Sequence, residues 1–307
     1  MAGITSLGVT DEDSIATVRR AMELGIDHLD TAYSYGKDGR SDRVIAAALD
    51  DSAGHGGCAG HVGRVVLASK VGAYLDAQGV WTKDARPESM IQQASEIRNR
   101  LRIETIDLMY LHAPDPSVPL LESADALQNI VDRGWARWAG ICNVTCPQLE
   151  AFHRRCPVVA VQTYFNMFQQ DSVADLRDFC HSQSISIVVY WALMKGLLAG
   201  RMPRDHQLDP MDRRRNYSIY QGDRWQSTQD LLDHLRLLAG EIGCTVAQLV
   251  LSWTLAQPGI AVALVGAKRP EQIEETSRIQ GFSQQKKLLA TIDGYIAECK
   301  RHAAWNS

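Results

Sequence analysis

The sequence predicts a (β/α)8 barrel with an abbreviated or missing first strand, and three observations predict it. Seven short runs are apolar almost throughout: IDHLD (26–30), VVLAS (65–69), IDLMYL (106–111), RWAGIC (137–142), VVAVQTY (158–164), ISIVVY (185–190) and AVALVG (261–266). Strands buried on both faces lie in parallel sheets covered on both sides. Stretches with apolar residues at helical steps separate these runs, so strand and helix alternate along the chain. No G-x-G-x-x-G follows any of the runs, which argues against a doubly wound dinucleotide-binding sheet.

The first helical pattern is Ile15, Val18 and Met22, closed by Gly25; a second is Ile91, Ala94, Ile97 and Leu101. A third is Leu121, Ala124, Leu127 and Val131, with Gly134 as its stop. Only MAGITSLGVT precedes the acidic helix opening Asp11-Glu12-Asp13. Residues 4–9 supply a strand stub there, and a full strand with its loop does not fit. A missing strand would expose two sheet edges and a wedge of core, a large penalty against a net stability of about 5–15 kcal/mol. The one long excursion, 199–228, is polar and rich in Asp, Arg and Gln, and reads as a large loop of the kind that covers ligands. With no linker and no repeat beyond the strand–helix rhythm, residues 1–307 read as a single barrel domain.

Apolar residues make up 45% and charged residues 22% of the chain, a globular balance, and the net charge of −4 argues against nucleic acid or an anionic membrane as the main partner. No apolar run reaches membrane-spanning length. The seven cysteines show no regular framework and, with no secretory leader, read as reduced thiols in a cytoplasmic compartment. Cys142, Cys146, His153 and Cys156 cluster in sequence, but their spacing matches no tight metal loop, so no metal site is expected.

In a barrel, chemistry collects at the C-terminal ends of the strands. The 26–30 run ends in Asp30, with Tyr33 and Tyr35 in the loop beyond it. Lys70 follows the next run, His112 the one after, then Asn143; Gln162 and Tyr190 sit in the two that follow. Each alone is as well read as a rim salt bridge, a loop cap or a buried amide. Together an aspartate, a tyrosine, a lysine and a histidine on consecutive strands form an apparatus for protonating a carbonyl. A phenol ordinarily titrates near pH ~10. A neighbouring ammonium is expected to lower that value, a carboxylate to keep the ammonium charged, and a histidine to orient the carbonyl oxygen. Tyr33 is the rival for the acid; the alternation past Asp30 and the following Gly36 favour Tyr35.

The motifs resemble those of the aldo-keto reductase family: GIDHLDTAYSYG, VVLASK and IDLMYLH match its aspartate–tyrosine, lysine and histidine motifs, and the likeness runs from about Asp11 to about Gly281. The resemblance implies a tetrad of Asp30, Tyr35, Lys70 and His112, with Tyr35 the general acid, Lys70 and Asp30 its tuning pair, and His112 the carbonyl-orienting donor. The segment VGAKRPEQIEET pairs a glycine turn at Gly266 with Lys268, Arg269 and a helix opening at Pro270, a natural phosphate cradle. Two cations there suit a 2′-phosphate and favour NADP(H) over NAD(H). The resemblance also places Gln272 and Glu275 near the adenosine, and Cys142, Asn143 and Gln162 around the nicotinamide amide, with Tyr190 stacked on the ring. Cys142 stands where the family has a serine. The loop YWALMKGLLAGRM would run under the pyrophosphate through Leu193 and Gly196.

These readings imply an NADPH-dependent oxidoreductase that reduces small aldehydes or ketones. The alternative is a nicotinamide-nucleotide sensor or regulatory subunit with weak catalysis. Tyr74, Trp81, Tyr217, Tyr220 and Trp225, in the loops 71–86 and 199–228, are expected to line an aromatic mouth or to pack against their own loops.

Overall fold

A computed structural model describes residues 3, 8–50, 65–210, 212–279, 281–282 and 284–302. Helix α1 (Asp11–Glu23) opens as its sequence dictates: the Thr10 hydroxyl accepts the Asp13 N–H at 3.1 Å, and three acids occupy the first turn at the positive end of the helix dipole. It closes at Gly25, whose φ of 81° is open to glycine at no steric cost. No strand precedes α1 among the described residues. The expected stub at 4–9 falls mostly outside them.

The strands are β1 (His28–Asp30), β2 (Val66–Val71), β3 (Ala73–Leu75), β4 (Trp81–Lys83), β5 (Ile106–Leu111), β6 (Ala136–Cys142), β7 (Val158–Tyr164), β8 (Ser186–Tyr190) and β9 (Ile260–Ala263). The helices after α1 are α2 (Arg40–Leu49), α3 (Pro87–Leu101), α4 (Leu120–Asp132), α5 (Cys146–Arg155), α6 (Asp171–Ser182), α7 (Gly222–Ile242), α8 (Val246–Leu255), α9 (Pro270–Ser277) and α10 (Lys286–His302). Seven strands form one sheet in the order β1-β2-β5-β6-β7-β8-β9, and β3 and β4 form a separate antiparallel hairpin. The pairs β1–β2, β2–β5, β5–β6 and β6–β7 are all parallel. Each of the seven predicted apolar runs is one of these sheet strands, with ends shifted by a few residues.

Register decides which side chains share a face. Asp30 lies opposite Ala68, Lys70 opposite Tyr110, Tyr110 opposite Gly140, and Cys142 opposite Gln162. Side chains alternate along a strand and match across a parallel pair. Asp30, Lys70, Tyr110, Cys142 and Gln162 therefore point to one side of the sheet, at its C-terminal ends. Gly140 makes room for that layer, since a methyl group there would stand 2.4 Å from Cδ1 of Tyr110.

Contacts divide the chain into two compact units. The first comprises Met1–Thr163, Asp175–Val188 and Gly266–Ser277. Its core is fully buried Ile97, Ile106, Met109, Leu127, Ile130, Ile141, Phe152 and Val161. Here α1 packs on α9 through Ala21, Ile273 and Ala267, and Arg20 pairs with Glu274 at 2.7 Å. The second comprises Tyr164–Ala174, Val189–Val265 and Arg278–Ser307. Trp253 on α8 is its buried centre, stacked on Phe165 and donating its indole N–H to Asp293 at 2.9 Å. Reciprocal bonds between Thr245 and Gln248 cap α8, and no single described helix is long and apolar enough to cross a membrane.

Three expectations change. The 71–86 loop holds the β3–β4 hairpin, whose three-residue arms carry no period in the sequence; Asp76 builds its turn by accepting the N–H groups of Gln78 and Val80. The buried face of α4 is Ser123, Ala124, Ala126, Leu127 and Ile130, so the covered stripe keeps Ala124 and Leu127 of the expected one but leaves Leu121 49% exposed and Val131 part-buried. The 199–228 excursion is shorter than it reads, since α7 begins at Gly222. Trp225 is buried on that helix, stacked on Tyr220 and donating its N–H to the Arg204 carbonyl at 2.9 Å, so it packs against its own loop.

Candidate active site

Lys70 is the centre of the polar layer. An ammonium with no solvent exposure must be paired, or it would lose its proton. Its Nζ donates to a carboxylate oxygen of Asp30 and, at 2.8 Å, to the Thr31 carbonyl. The other Asp30 oxygen accepts from Nε2 of Gln162 at 2.8 Å. Burial disfavours both charges, yet each holds the other. The Asp30 carboxyl stays below its ordinary range and the Lys70 ammonium above its own.

The chain leaves β1 through Thr31 and turns, with the Tyr33 N–H bonded to the Lys70 carbonyl and the Tyr35 N–H to the Ala32 carbonyl. The turn sends the two tyrosines to different places. Tyr33 donates its hydroxyl to Glu96 at 2.9 Å, and the Arg100 guanidinium lies over its ring, both on α3. Tyr35 places its ring 4.8 Å from Nζ of Lys70 and meets the His112 ring edge-on at 5.7 Å. Burial pushes the Tyr35 phenol above its ordinary range, Lys70 pulls it down and Asp30 pushes it up again, with a net rise. Lys70 lowers the phenol as expected, but burial outweighs it, and the group stays above rather than below its free value. At neutral pH the phenol holds its proton.

His112 follows β5, its N–H bonded to the Val71 carbonyl and its carbonyl accepting from Nδ2 of Asn143 at 3.0 Å. Burial and then the nearby Lys70 lower its imidazole to about 3, so the ring is neutral. Nδ1 faces the Ser34 hydroxyl at 3.4 Å, and the Trp81 ring meets the imidazole edge-on at 5.4 Å. Trp81, one of the aromatics expected at the mouth, thus lies against His112. Ser34 was not singled out, and its only signal is its place between the two tyrosines.

The remaining predicted residues are placed as follows. Cys142 is fully buried beside the charged pair, and burial raises its thiol far above the ordinary value. Asn143 is exposed in the left-handed region, at φ 59°, with its N–H on the Gln162 carbonyl. Tyr190 ends β8 in the second unit, its carbonyl bonded to the Phe165 N–H. Leu193 and Gly196 bracket a tight turn in that unit, at φ −92° and 93°. At α9, Lys268 and Arg269 are exposed and carry no ion pair among the described residues, Gly266 is exposed with the Gly3 backbone beside it, and Gln272 accepts the Lys268 N–H at 2.7 Å. Glu275 lies one turn on, part-buried. Nδ1 of His153 accepts the Val158 N–H at 3.1 Å, and Cys156 is fully buried.

The aldo/keto reductase family profile matches residues 1–297. Aldo-keto reductase YhdN of Bacillus subtilis is 30% identical over 295 residues, which cover 94% of this chain and 86% of the relative. The glycerol dehydrogenase AKR11B4 from Gluconobacter oxydans superposes with a TM-score of 0.86 at 28% identity, over 98% of this chain and 89% of that one. An aldo/keto reductase from Klebsiella pneumoniae in complex with NADP and acetate superposes with a TM-score of 0.68 at 22% identity, over 95% of this chain and 90% of that one. Strand order and structural likeness agree on the (β/α)8 barrel class, and on the match across nearly its whole length the chain belongs to the aldo/keto reductase family.

Proposed function

We propose that this chain is a single-domain NADPH-dependent reductase of small aldehydes and ketones, with Tyr35 as its proton donor. The observation that carries the reading is the fully buried Lys70, paired with Asp30 and set under the ring of Tyr35 beside a neutral His112. Such a pair is costly to bury and of little value to a fold that could fill the space with apolar atoms. Its use is electrostatic, because the ammonium stabilises the phenolate that forms as Tyr35 gives up its proton.

The reduced nicotinamide supplies the hydride. His112 orients the carbonyl oxygen by hydrogen bonding. Tyr35 donates its proton to that oxygen as negative charge builds there, and Lys70, fixed by Asp30, offsets the charge left on the phenol. The cofactor fits this chain at α9. Its N-terminus, with exposed Gly266, Lys268 and Arg269, would cradle the 2′-phosphate. Gln272 steadies the turn through the Lys268 N–H, and Glu275 would face the adenosine. Asn143 and Gln162 would hold the nicotinamide amide beside Cys142, and the family resemblance assigns the ring-stacking face to Tyr190 and the pyrophosphate backbone contacts to Leu193 and Gly196. The family structure from Klebsiella pneumoniae carries NADP, and the relative from Gluconobacter oxydans is a glycerol dehydrogenase. That relative puts short hydroxyl-bearing carbonyl compounds first among substrates to try.

The test is NADPH consumption by the purified chain over a panel of reactive aromatic and short hydroxyl-bearing aldehydes, with cofactor binding followed by tryptophan fluorescence. Turnover supports the reductase. Tight NADPH binding with no turnover across the panel overturns it in favour of a nucleotide sensor.

A further inference from the structure

Beyond the four residues of the tetrad, a fifth side chain touches the site from within the same loop. Ser34 is buried, 5% exposed, and its Oγ has two neighbours. The indole N–H of Trp81, on β4, points at it from 3.2 Å, and Nδ1 of His112 stands 3.4 Å away. Both neighbours belong to the unit that holds the tetrad.

The direction of each bond follows from the chemistry of the groups. An indole nitrogen donates and never accepts, so Trp81 occupies a lone pair of the Ser34 oxygen. The hydroxyl is left with its proton and a second lone pair, and among the described residues the one acceptor that proton reaches is Nδ1 of His112. Buried polar groups find partners, so the proton goes there. A neutral imidazole that accepts at Nδ1 carries its own proton on Nε2. The rest of the ring is already fixed: its backbone is held by Val71 and Asn143, and Trp81 and Tyr35 both meet it edge-on.

We infer that Ser34, itself held by Trp81, is a positioning residue that sets His112 as the Nε2–H tautomer and so turns a hydrogen-bond donor, rather than a lone pair, toward the carbonyl oxygen. The inference rests on the reading of His112 as the carbonyl-orienting group. In the opposite tautomer the ring would present a lone pair to the oxygen and repel it. The β3–β4 hairpin thereby gains a function, since Trp81 ties it to the tetrad through one hydroxyl.

The direct experiment is the 15N–1H correlation spectrum of the His112 ring at neutral pH, in the wild type and in Ser34→Ala, Ser34→Thr and Trp81→Phe. The wild type and Ser34→Thr are expected to show Nε2 protonated and Nδ1 bare. Ser34→Ala is expected to show a mixture, and Trp81→Phe a smaller shift the same way. In parallel, kcat/KM for an aldehyde should fall about tenfold in Ser34→Ala and recover in Ser34→Thr, with the NADPH dissociation constant and the melting temperature unchanged. A purely structural Ser34 would alter melting and leave the tautomer alone. Protonation of Nδ1 in the wild type, or an unchanged His112 spectrum in Ser34→Ala, overturns the inference. The spectrum needs no turnover, so a tautomer shift in a chain that reduces no carbonyl would uphold the relay while removing the reductase reading.

Discussion

At the scale of single residues, polar groups placed inside apolar runs carried the reading. Asp30, Lys70 and His112 stand out because burying them needs a reason, and the structure joins them with Tyr35 in one cluster. A second buried acid shows the same physics without a strong partner. Asp42 accepts from the Thr31 hydroxyl at 3.3 Å, while its Oδ2 and Nη1 of Arg100 remain 3.9 Å apart. Burial therefore raises its carboxyl to about 7. The folded chain keeps that proton across a range in which the unfolded chain has released it. Stability from this group is full below the ordinary carboxylate value and is lost as pH rises toward 7. Asp42→Asn mimics the protonated form, so wild type and variant should unfold alike near pH 4. Near pH 8 the variant should be more stable by about 1–4 kcal/mol in urea titrations. A variant less stable than wild type at both pH values would show that the Arg100 attraction outweighs burial. The sequence hid Asp42, whose lone carboxyl in an amphipathic helix looks like any exposed acid. It hid Ser34 too, since a small hydroxyl in a turn has no pattern of its own.

At the scale of elements, the long apolar runs were legible and the short or half-covered ones were not. Strands β5 and β7 have the bounds their runs predict, because an uninterrupted apolar run in a covered sheet has one reading. The β3–β4 hairpin escaped notice because three-residue arms carry no period. The face of α4 was misjudged because Leu121 and Val131 fit a helical stripe that the neighbouring elements do not cover. Packing between elements makes a sharper prediction at Gly140 on β6. A methyl group there would meet the Tyr110 ring at 2.4 Å and the Ala160 carbonyl oxygen at 3.1 Å. Gly140→Ala should cost about 1–3 kcal/mol in denaturant unfolding, with Tyr110 displaced toward the polar layer. An unchanged unfolding midpoint would mean that the ring moves away freely, which a fully buried tyrosine in a packed layer is not expected to do.

At the scale of the whole molecule, the fold class was legible in the rhythm of seven apolar runs, and the family match across residues 1–297 agrees with it. The electrostatics of the site set the pH behaviour of the whole reaction. His112 is neutral from about 3 upward, and Tyr35 keeps its proton beyond its ordinary range. Carbonyl reduction should therefore run with a flat kcat/KM through pH 5–8 and decline only in alkali as the acid is lost. An inflection between pH 5 and 8 would mean that another group supplies the proton.

The central claim is that Tyr35, and not Tyr33, is the acid. The measurement that tests it most directly is NADPH-dependent aldehyde reduction by Tyr35→Phe and by Tyr33→Phe, with cofactor binding as the control for folding. Tyr35→Phe is expected to lose about a hundredfold or more in kcat while still binding NADPH, and Tyr33→Phe to stay within about a few-fold of wild type. Full activity in Tyr35→Phe together with loss in Tyr33→Phe would contradict the claim.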